Sequence, residues 1–155
     1  MSKRKCCEEY LGDMIYISRL MEFVSQDGFQ WNDGGPEAVV TLDDISKAIL
    51  EGCKEETEPY GDPFNFPCKE RPKSWHIGRI LYYIHHPEEI KDIQIDNECD
   101  AFAIYPMPVI LDGNHRFMAA MWLYRENQIE KIHCLYGGRE DVLDYLTGKS
   151  EDFPE

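Results

Sequence analysis

Apolar residues recur along the chain at two periods, and these periods predict an alternation of helices and strands. Helical spacing, with apolar residues three and four positions apart, occurs in four segments. The segments are residues 8–24, "WHIGRILYYIHH" (75–86), residues 114–126 and "REDVLDYLTG" (139–148). We expect Ser74 to cap the second of these helices, Pro87 to end it and Gly148 to end the last.

Short apolar or alternating segments predict strands between the helices. The segments are "EAVVTLDDI" (37–45), "DIQI" (92–95), "AFAIY" (101–105), "VILD" (109–112) and "KIHCLYG" (131–137). Thr41 and Asp43 are candidate caps for a short helix, "LDDISKAILEG", that ends at Gly52. "DNECD" (96–100) is predicted to be a turn. Pro106 and Pro108 delay the following strand to "VILD", because proline cannot donate a hydrogen bond inside a sheet.

This order of elements predicts an α+β (mixed α/β) fold, a small mixed sheet with flanking helices and an additional N-terminal helix. A chain of 155 residues is long enough for one domain with a real core. We divide it into an N-terminal helical extension and loop (1–37), a core (38–148) that contains a proline-rich loop (53–74), and an acidic tail (149–155).

The charge balance indicates which kinds of molecule the protein is expected to bind. The chain carries 16 basic and 30 acidic residues, for a net charge of -14. Without a basic stripe, non-specific binding of duplex DNA through its phosphates is not expected. The first interpretation of the negative charge is that it keeps the protein soluble. The alternative is that it serves to bind a basic protein partner.

The six cysteines and the hydropathy pattern indicate a compartment. No Cys-x-x-Cys pair, signal peptide or long apolar segment is present in the sequence. We therefore expect reduced thiols in a cytoplasmic protein, with no membrane association and no disulfide framework. Zinc and haem are not expected either.

The most informative stretch is "PVILDGNHRFMAAMW" (108–122), where a predicted strand runs through a polar turn into a predicted helix. The first N–H groups of a helix lack intrahelical partners and lie at its positive end, so they favour an anion. Arg116 adds a fork suited to phosphate, and His115 adds a donor whose charge changes near neutral pH. Asp112 is suited to Mg²⁺ or to the orientation of water. In the alternative interpretation Asp112 caps the helix, Gly113 serves the turn, and His115 and Arg116 face solvent.

The segment "ILDGNHRFMAAMWLYRENQIEKIHCL" resembles the signature of the ParB N-terminal/sulfiredoxin superfamily. In that superfamily a strand leads into a Gly-x-His-Arg or Gly-x-Arg-Arg turn, then into a helix with small residues and a further strand. The upstream order agrees, with "AVVTLDDI" similar to the first strand, "SWHIGRILYYIHHPEEI" to the next helix and "KDIQID" to the next strand. The resemblance covers roughly residues 74–138 and extends back to Ala38.

The resemblance implies that the turn holds the phosphates of a nucleoside triphosphate. Gly113, His115 and Arg116 match the phosphate-binding turn, and Asp112 matches the Asp-Gly variant of many phage and plasmid relatives. Members of the superfamily act as nucleotide-dependent DNA clamps, sulfinic acid reductases that use ATP, NTPases or nucleases. Asn114 stands where sulfiredoxins carry a cysteine, which excludes sulfinic acid reduction. We do not expect a partition clamp, because only two basic residues follow the signature.

The helix before the motif usually offers basic or hydroxyl side chains to the phosphates in this superfamily. His76, Arg79 and Tyr83 are the nearest candidates, since they lie on one face of the predicted helix. Their alternative role is that of a polar outer face. Trp31 and Trp75 are candidates to stack on a base.

These observations predict a nucleotide- or phosphate-binding protein, with ATP or another NTP and Mg²⁺ as the expected cofactor and NTP hydrolysis left open. The candidate catalytic residues are Asp112, His115 and Arg116, with Asp112 as the metal ligand. The candidate cofactor-binding residues are Gly113, Asn114, His115, Arg116, His76, Arg79 and Tyr83. Two alternatives stay open: an acidic, non-catalytic protein of phage or plasmid type that binds a basic partner, and a ParB-like metal-dependent nuclease.

Overall fold

The structure is a computed structural model, and it describes residues 12–25, 28–31, 39–58 and 71–154. The first part of the predicted N-terminal helix, most of the following loop and most of the proline-rich loop lie outside the described residues.

The described residues form six strands and five α-helices. The strands are β1 (Asp13–Tyr16), β2 (Phe29–Gln30), β3 (Val39–Val40), β4 (Ile93–Cys99), β5 (Ile104–Asp112) and β6 (Lys131–Tyr136). The helices are α1 (Ile17–Leu20), α2 (Leu42–Leu50), α3 (Lys73–His85), α4 (Asn114–Arg125) and α5 (Glu140–Thr147). Short 3₁₀ turns follow α1 at Met21–Phe23 and α3 at Pro87–Glu89. No helix in these ranges is both long and apolar enough to cross a membrane.

The main sheet has four strands in the order β1-β6-β4-β5. β4 and β6 are parallel, while β1 pairs with β6 and β5 pairs with β4 in antiparallel register. Side chains alternate across it, so that Ile15, Ile93 and Ile132 are buried while Met14 and Gln94 are exposed. The predicted mixed α+β fold with a small mixed sheet is confirmed.

The predicted helix over 8–24 is wrong for the residues that form β1. Asp13–Tyr16 is an edge strand paired with β6, and helical geometry begins only at Ile17. Helical and strand periods are hard to separate over four residues, and here pairing with β6 decides the outcome. Residues 13–16 therefore belong to the main sheet and are not an added helix.

The hairpin of β4 and β5 is also longer than predicted. "DNECD" continues β4 as far as Cys99, and β5 begins at Ile104, before both prolines. Among the described residues β5 is an edge strand, so on one side of its backbone no neighbouring strand in these ranges needs a donor. The β4–β5 register also shifts between Asn97 and Cys99, next to the prolines.

The predicted helix ends were partly correct. Thr41 caps α2 in a reciprocal capping box with Asp44, so the cap is Thr41 and not Asp43. Ser74 does not cap α3, because that helix already begins at Lys73. Gly148 ends α5 with a left-handed backbone, as predicted.

Candidate functional site

The turn between β5 and α4 places three backbone donors at the start of a helix. Gly113 is the N-cap residue, and its φ of +112° is one that side chains rarely allow. The first backbone hydrogen bond of the helix runs from the Phe117 amide to the Gly113 carbonyl, at 2.8 Å. The amides of Asn114 and Arg116 come before this bond, at the positions where helix N–H groups have no acceptor within the helix. This end of α4 carries the positive end of the helix dipole.

Asp112 does not cap α4, so that alternative for its role is wrong. Its side chain is 68% exposed, and its Oδ2 atom lies 3.4 Å from Arg116 Nη2. α4 has no side-chain cap, because the N-cap residue is a glycine. Asp112 is thus an exposed carboxylate at the rim of the turn, partly neutralised by Arg116.

Arg116 does not extend into solvent but lies back over the turn. Its Nη1 atom donates to the Lys91 carbonyl at 2.6 Å, and only 18% of the side chain is exposed. A Cβ added to Gly113 would lie 3.2 Å from Arg116 Nη2, so the guanidinium covers this glycine. Arg116 therefore connects the β5–α4 turn to the segment that enters β4, and it holds a positive charge beside the start of α4.

His115 is buried in what we call the histidine cluster, made of Trp31, Trp75, His76 and His115. His115 Nε2 lies 2.8 Å from His76 Nδ1, a hydrogen bond between side chains of α4 and α3. Trp31 stacks on both imidazoles, with ring centroids 4.2 Å from His115 and 4.5 Å from His76. Trp75 meets both rings edge-on. The two tryptophans thus pack on histidines, and the cluster fixes the start of α4 against α3.

The protonation of His115 differs from the prediction. Burial lowers its pKa to about 2, and the neighbouring His76, Arg79 and Arg116 add to this effect. His115 is therefore neutral at physiological pH. The expectation that its charge changes near neutral pH is wrong, because a charged imidazole would lose its hydration here.

Of the candidate binding residues on α3, only some lie close to the turn between β5 and α4. Arg79 is buried, and it donates to the Glu56 carbonyl at 2.9 Å and to the Tyr83 hydroxyl at 2.8 Å. The expectation of a polar outer face is wrong for His76 and Arg79, since both side chains are buried. His76 reaches the motif through His115, whereas Arg79 and Tyr83 pair with each other.

An apolar cleft of about 410 Å³ opens beside the start of α4. Its walls come from the segment after α1, from β2, from β5 and from α4, and Asn114 lies at its edge. The lining residues are Phe23, Val24, Ser25, Phe29, Pro108, Val109, Ile110, Asn114, Phe117, Met118 and Met121. Volumes of this order are usual for small-molecule sites. The sequence interpretation missed this cleft, because Phe29 lies in a segment rich in Gly, Asp and Asn that predicted only a loop.

The described ranges contain no group of three or more His, Cys, Asp or Glu side chains arranged to hold a metal ion. Asp112 is the carboxylate of the turn itself. An Mg²⁺ ion there would therefore take most of its oxygen ligands from a bound phosphate and from water, as this ion commonly does.

Comparisons of the chain with protein-family models, with curated proteins and with solved structures give no match. The resemblance to the ParB N-terminal/sulfiredoxin superfamily therefore stays a prediction.

Proposed function

We propose that this protein binds the phosphate groups of a nucleotide at the start of α4. The observation that carries the proposal is the start of this helix, which has no side-chain cap and lies beside the Arg116 guanidinium. Helix N-termini with an adjacent arginine are suited to phosphate, because both the amides and the fork donate to its oxygens.

We infer roles for the other residues from the surroundings of the turn. The cleft beside Asn114 would take the base, since it is apolar and adjoins the amides. Asp112 would hold Mg²⁺ against the phosphates, because it is exposed at the same turn. His115 is a positioning residue in this proposal and not a proton donor, since it is buried and neutral.

Isothermal titration of the protein with ATP, CTP and GTP, with and without Mg²⁺, tests the proposal. The variant is Arg116→Gln, and the matched control is Arg125→Gln in the last turn of the same helix. Arg125 pairs with Asp43 at 3.2 Å, so the control also removes a charge and an ion pair. We expect Arg116→Gln to weaken nucleotide binding by about tenfold or more and Arg125→Gln to leave it unchanged, because charge-assisted hydrogen bonds are the stronger ones.

Two results would overturn the proposal. One is a wild-type protein that binds none of the three nucleotides. The other is an equal loss in the two variants, which would show a general effect of net charge. Thermal unfolding of both variants without ligand controls for loss of the fold.

Hydrolysis is tested separately from binding, through Asp112. Hydrolysis itself is left open; where wild type releases phosphate from ATP in the presence of Mg²⁺, we expect Asp112→Asn to lose this release while binding ATP without Mg²⁺ as wild type does. Nucleotide binding without phosphate release in wild type would identify a binding protein without turnover.

A further inference from the structure

The hairpin of β4 and β5, residues 93–112, carries most of the exposed apolar surface of the described residues. Seven large apolar side chains are exposed in these ranges, and five of them lie between residues 102 and 111. They are Phe102, Ile104, Tyr105, Met107 and Leu111, with Phe102 at the tip 95% exposed. Single exposed apolar residues are common, whereas a group of them on one element marks a contact surface.

The tip of this hairpin is held in shape by a polar network. Asp100 Oδ1 accepts hydrogen bonds from the amides of Phe102, at 2.7 Å, and Ala103, at 2.9 Å. The Tyr105 hydroxyl donates to the other oxygen of this carboxylate. The Asp100 amide donates to the Ala103 carbonyl at 3.0 Å. Phe102 is thus presented on an ordered turn, which lowers the entropy cost of binding through it.

The charge of the hairpin indicates the kind of partner. Residues 93–112 contain four acidic residues and no lysine, arginine or histidine. The acidic residues are Asp96, Glu98, Asp100 and Asp112. A second copy of the chain would bring the same acidic residues into contact, and each copy has a net charge of -14. Charge complementarity therefore favours a basic partner over self-association.

The edge strand also indicates how a partner would bind. Pro106 and Pro108 remove two backbone donors from β5, and prolines at an edge discourage the addition of a further strand. Side-chain contact with an amphipathic helix does not require these donors.

We propose that the β4–β5 hairpin is a docking surface for a basic amphipathic helix of another protein. The apolar face of that helix packs on Phe102, Ile104 and Met107, and its lysines or arginines pair with acidic residues such as Glu98. Phe102, Ile104 and Met107 are not among the residues of the nucleotide site proposed above, and the docking proposal does not depend on that site.

The test uses a synthetic peptide of leucine and lysine with the leucines at helical spacing, titrated into the full chain by fluorescence anisotropy. A scrambled peptide of the same composition separates amphipathic recognition from simple charge attraction. We expect the amphipathic peptide to bind more tightly than the scrambled one. Phe102→Ser should weaken it by about tenfold or more, since buried aromatic anchors carry much of the binding energy at interfaces.

Leu50→Ser is the matched control, because Leu50 is an 88% exposed apolar residue on α2, outside the hairpin. Both variants keep the net charge, so a loss confined to Phe102→Ser locates the binding on the hairpin. Ile104→Thr, which keeps a β-branched residue in the strand, provides a second variant and should also weaken binding. The proposal is overturned by equal binding of the two peptides, by equal losses in Phe102→Ser and Leu50→Ser, or by dimerisation of wild type through Phe102 in sedimentation velocity.

Discussion

The histidine cluster and the β4–β5 hairpin reverse the usual placement of polar and apolar groups. In the cluster two imidazoles are buried and bond to each other between tryptophans. In the hairpin a phenylalanine at the tip is exposed while a carboxylate organises the turn beneath it. Both arrangements cost free energy unless something compensates, because buried polar groups lose hydration and exposed apolar groups order water.

The difference lies in where the compensation comes from. Within the cluster each imidazole supplies a partner for the other, so its contribution is part of the stability of this chain. At the hairpin Phe102 is 95% exposed, so the described residues supply little compensation for it, and the docking proposal assigns that role to a partner. Substitutions in the cluster should therefore change folding, whereas substitutions at the hairpin tip should change association.

The largest effect is expected from His115→Phe. Phenylalanine keeps a ring against Trp31 but removes the hydrogen bond to His76 at 2.8 Å. We expect the free energy of unfolding to fall by about 3 kcal/mol, since a buried hydrogen bond is lost and the larger ring disturbs the close packing. Urea denaturation of wild type and variant measures this change.

A double-mutant cycle with His76→Phe makes this prediction specific to the pair. If the two imidazoles stabilise each other, the double variant loses less than the sum of the single losses, by about 1 kcal/mol. Additive losses would show that each histidine acts through other contacts. Leu50→Ser, an exposed change on α2, should stay within about 0.5 kcal/mol of wild type.

Gly113→Ala comes next, because it changes the backbone that positions the cluster and the start of α4. A Cβ at this residue would lie 3.1 Å from Ile93 Cγ1, and the φ of +112° strains any side chain. We expect a loss of about 2 kcal/mol in the free energy of unfolding, measured by urea denaturation.

Gly52→Ala is the control for the backbone conformation alone. Gly52 also has a positive φ, +71°, but a Cβ there would meet nothing within 4 Å. It should cost about 1 kcal/mol. Equal losses at the two glycines would mean that the contact with Ile93 is relieved without cost.

A smaller effect, confined to one pH range, follows from the burial of His115. Its pKa is 6.5 in the absence of burial and about 2 in the folded protein, so the unfolded chain binds one more proton between these values. The free energy of unfolding should therefore fall as the pH drops below about 6.5, by about 1.4 kcal/mol per pH unit. Above that pH this contribution is fully present.

Urea denaturation at several pH values between about 6.5 and 5 measures how the free energy of unfolding depends on pH in wild type and in His115→Phe. This range lies above the pH at which most carboxylates titrate. In the variant we expect the free energy of unfolding to depend less steeply on pH, by the amount that corresponds to about one bound proton. His86, whose pKa is raised by its hydrogen bond to the Tyr82 carbonyl, is present in both proteins and cancels from the comparison. Identical slopes in wild type and in His115→Phe would show that His115 binds its proton equally well in the folded and the unfolded protein.

The sequence predicted the strand, turn and helix of the site better than the directions of its side chains. The turn at 112–113 and α4 follow from local signals, an apolar strand, a glycine and helical spacing. That His115 lies inside and Arg116 lies over Gly113 depends on α3 and on the segment before β4, which are distant in sequence. A helical period gives the relative directions of neighbouring residues but does not say what the adjacent element offers them.

The errors in the fold have the same origin. Asp13–Tyr16 is a strand because β6 lies beside it, and β5 accepts Pro106 and Pro108 because it lies at the edge of the sheet. Neither neighbour is visible in a local window of the sequence. Two local helix signals, the cap at Thr41 and the stop at Gly148, agree with the structure, whereas the cap expected at Ser74 does not.

The smallest effect on folding is expected at the hairpin tip, from Phe102→Ser. This side chain is 95% exposed, so its removal takes little apolar contact from the folded state. The Phe102 amide keeps its bond to Asp100, because that bond involves only the backbone of residue 102. We expect the free energy of unfolding to stay within about 0.5 kcal/mol of wild type in urea denaturation.

Asp100→Ala at the same tip is the contrasting variant. It should destabilise by about 1 kcal/mol, because it removes the acceptor of two backbone amides and of the Tyr105 hydroxyl. A large loss in Phe102→Ser would show that the phenylalanine serves the fold, and it would remove the contrast between the hairpin and the histidine cluster.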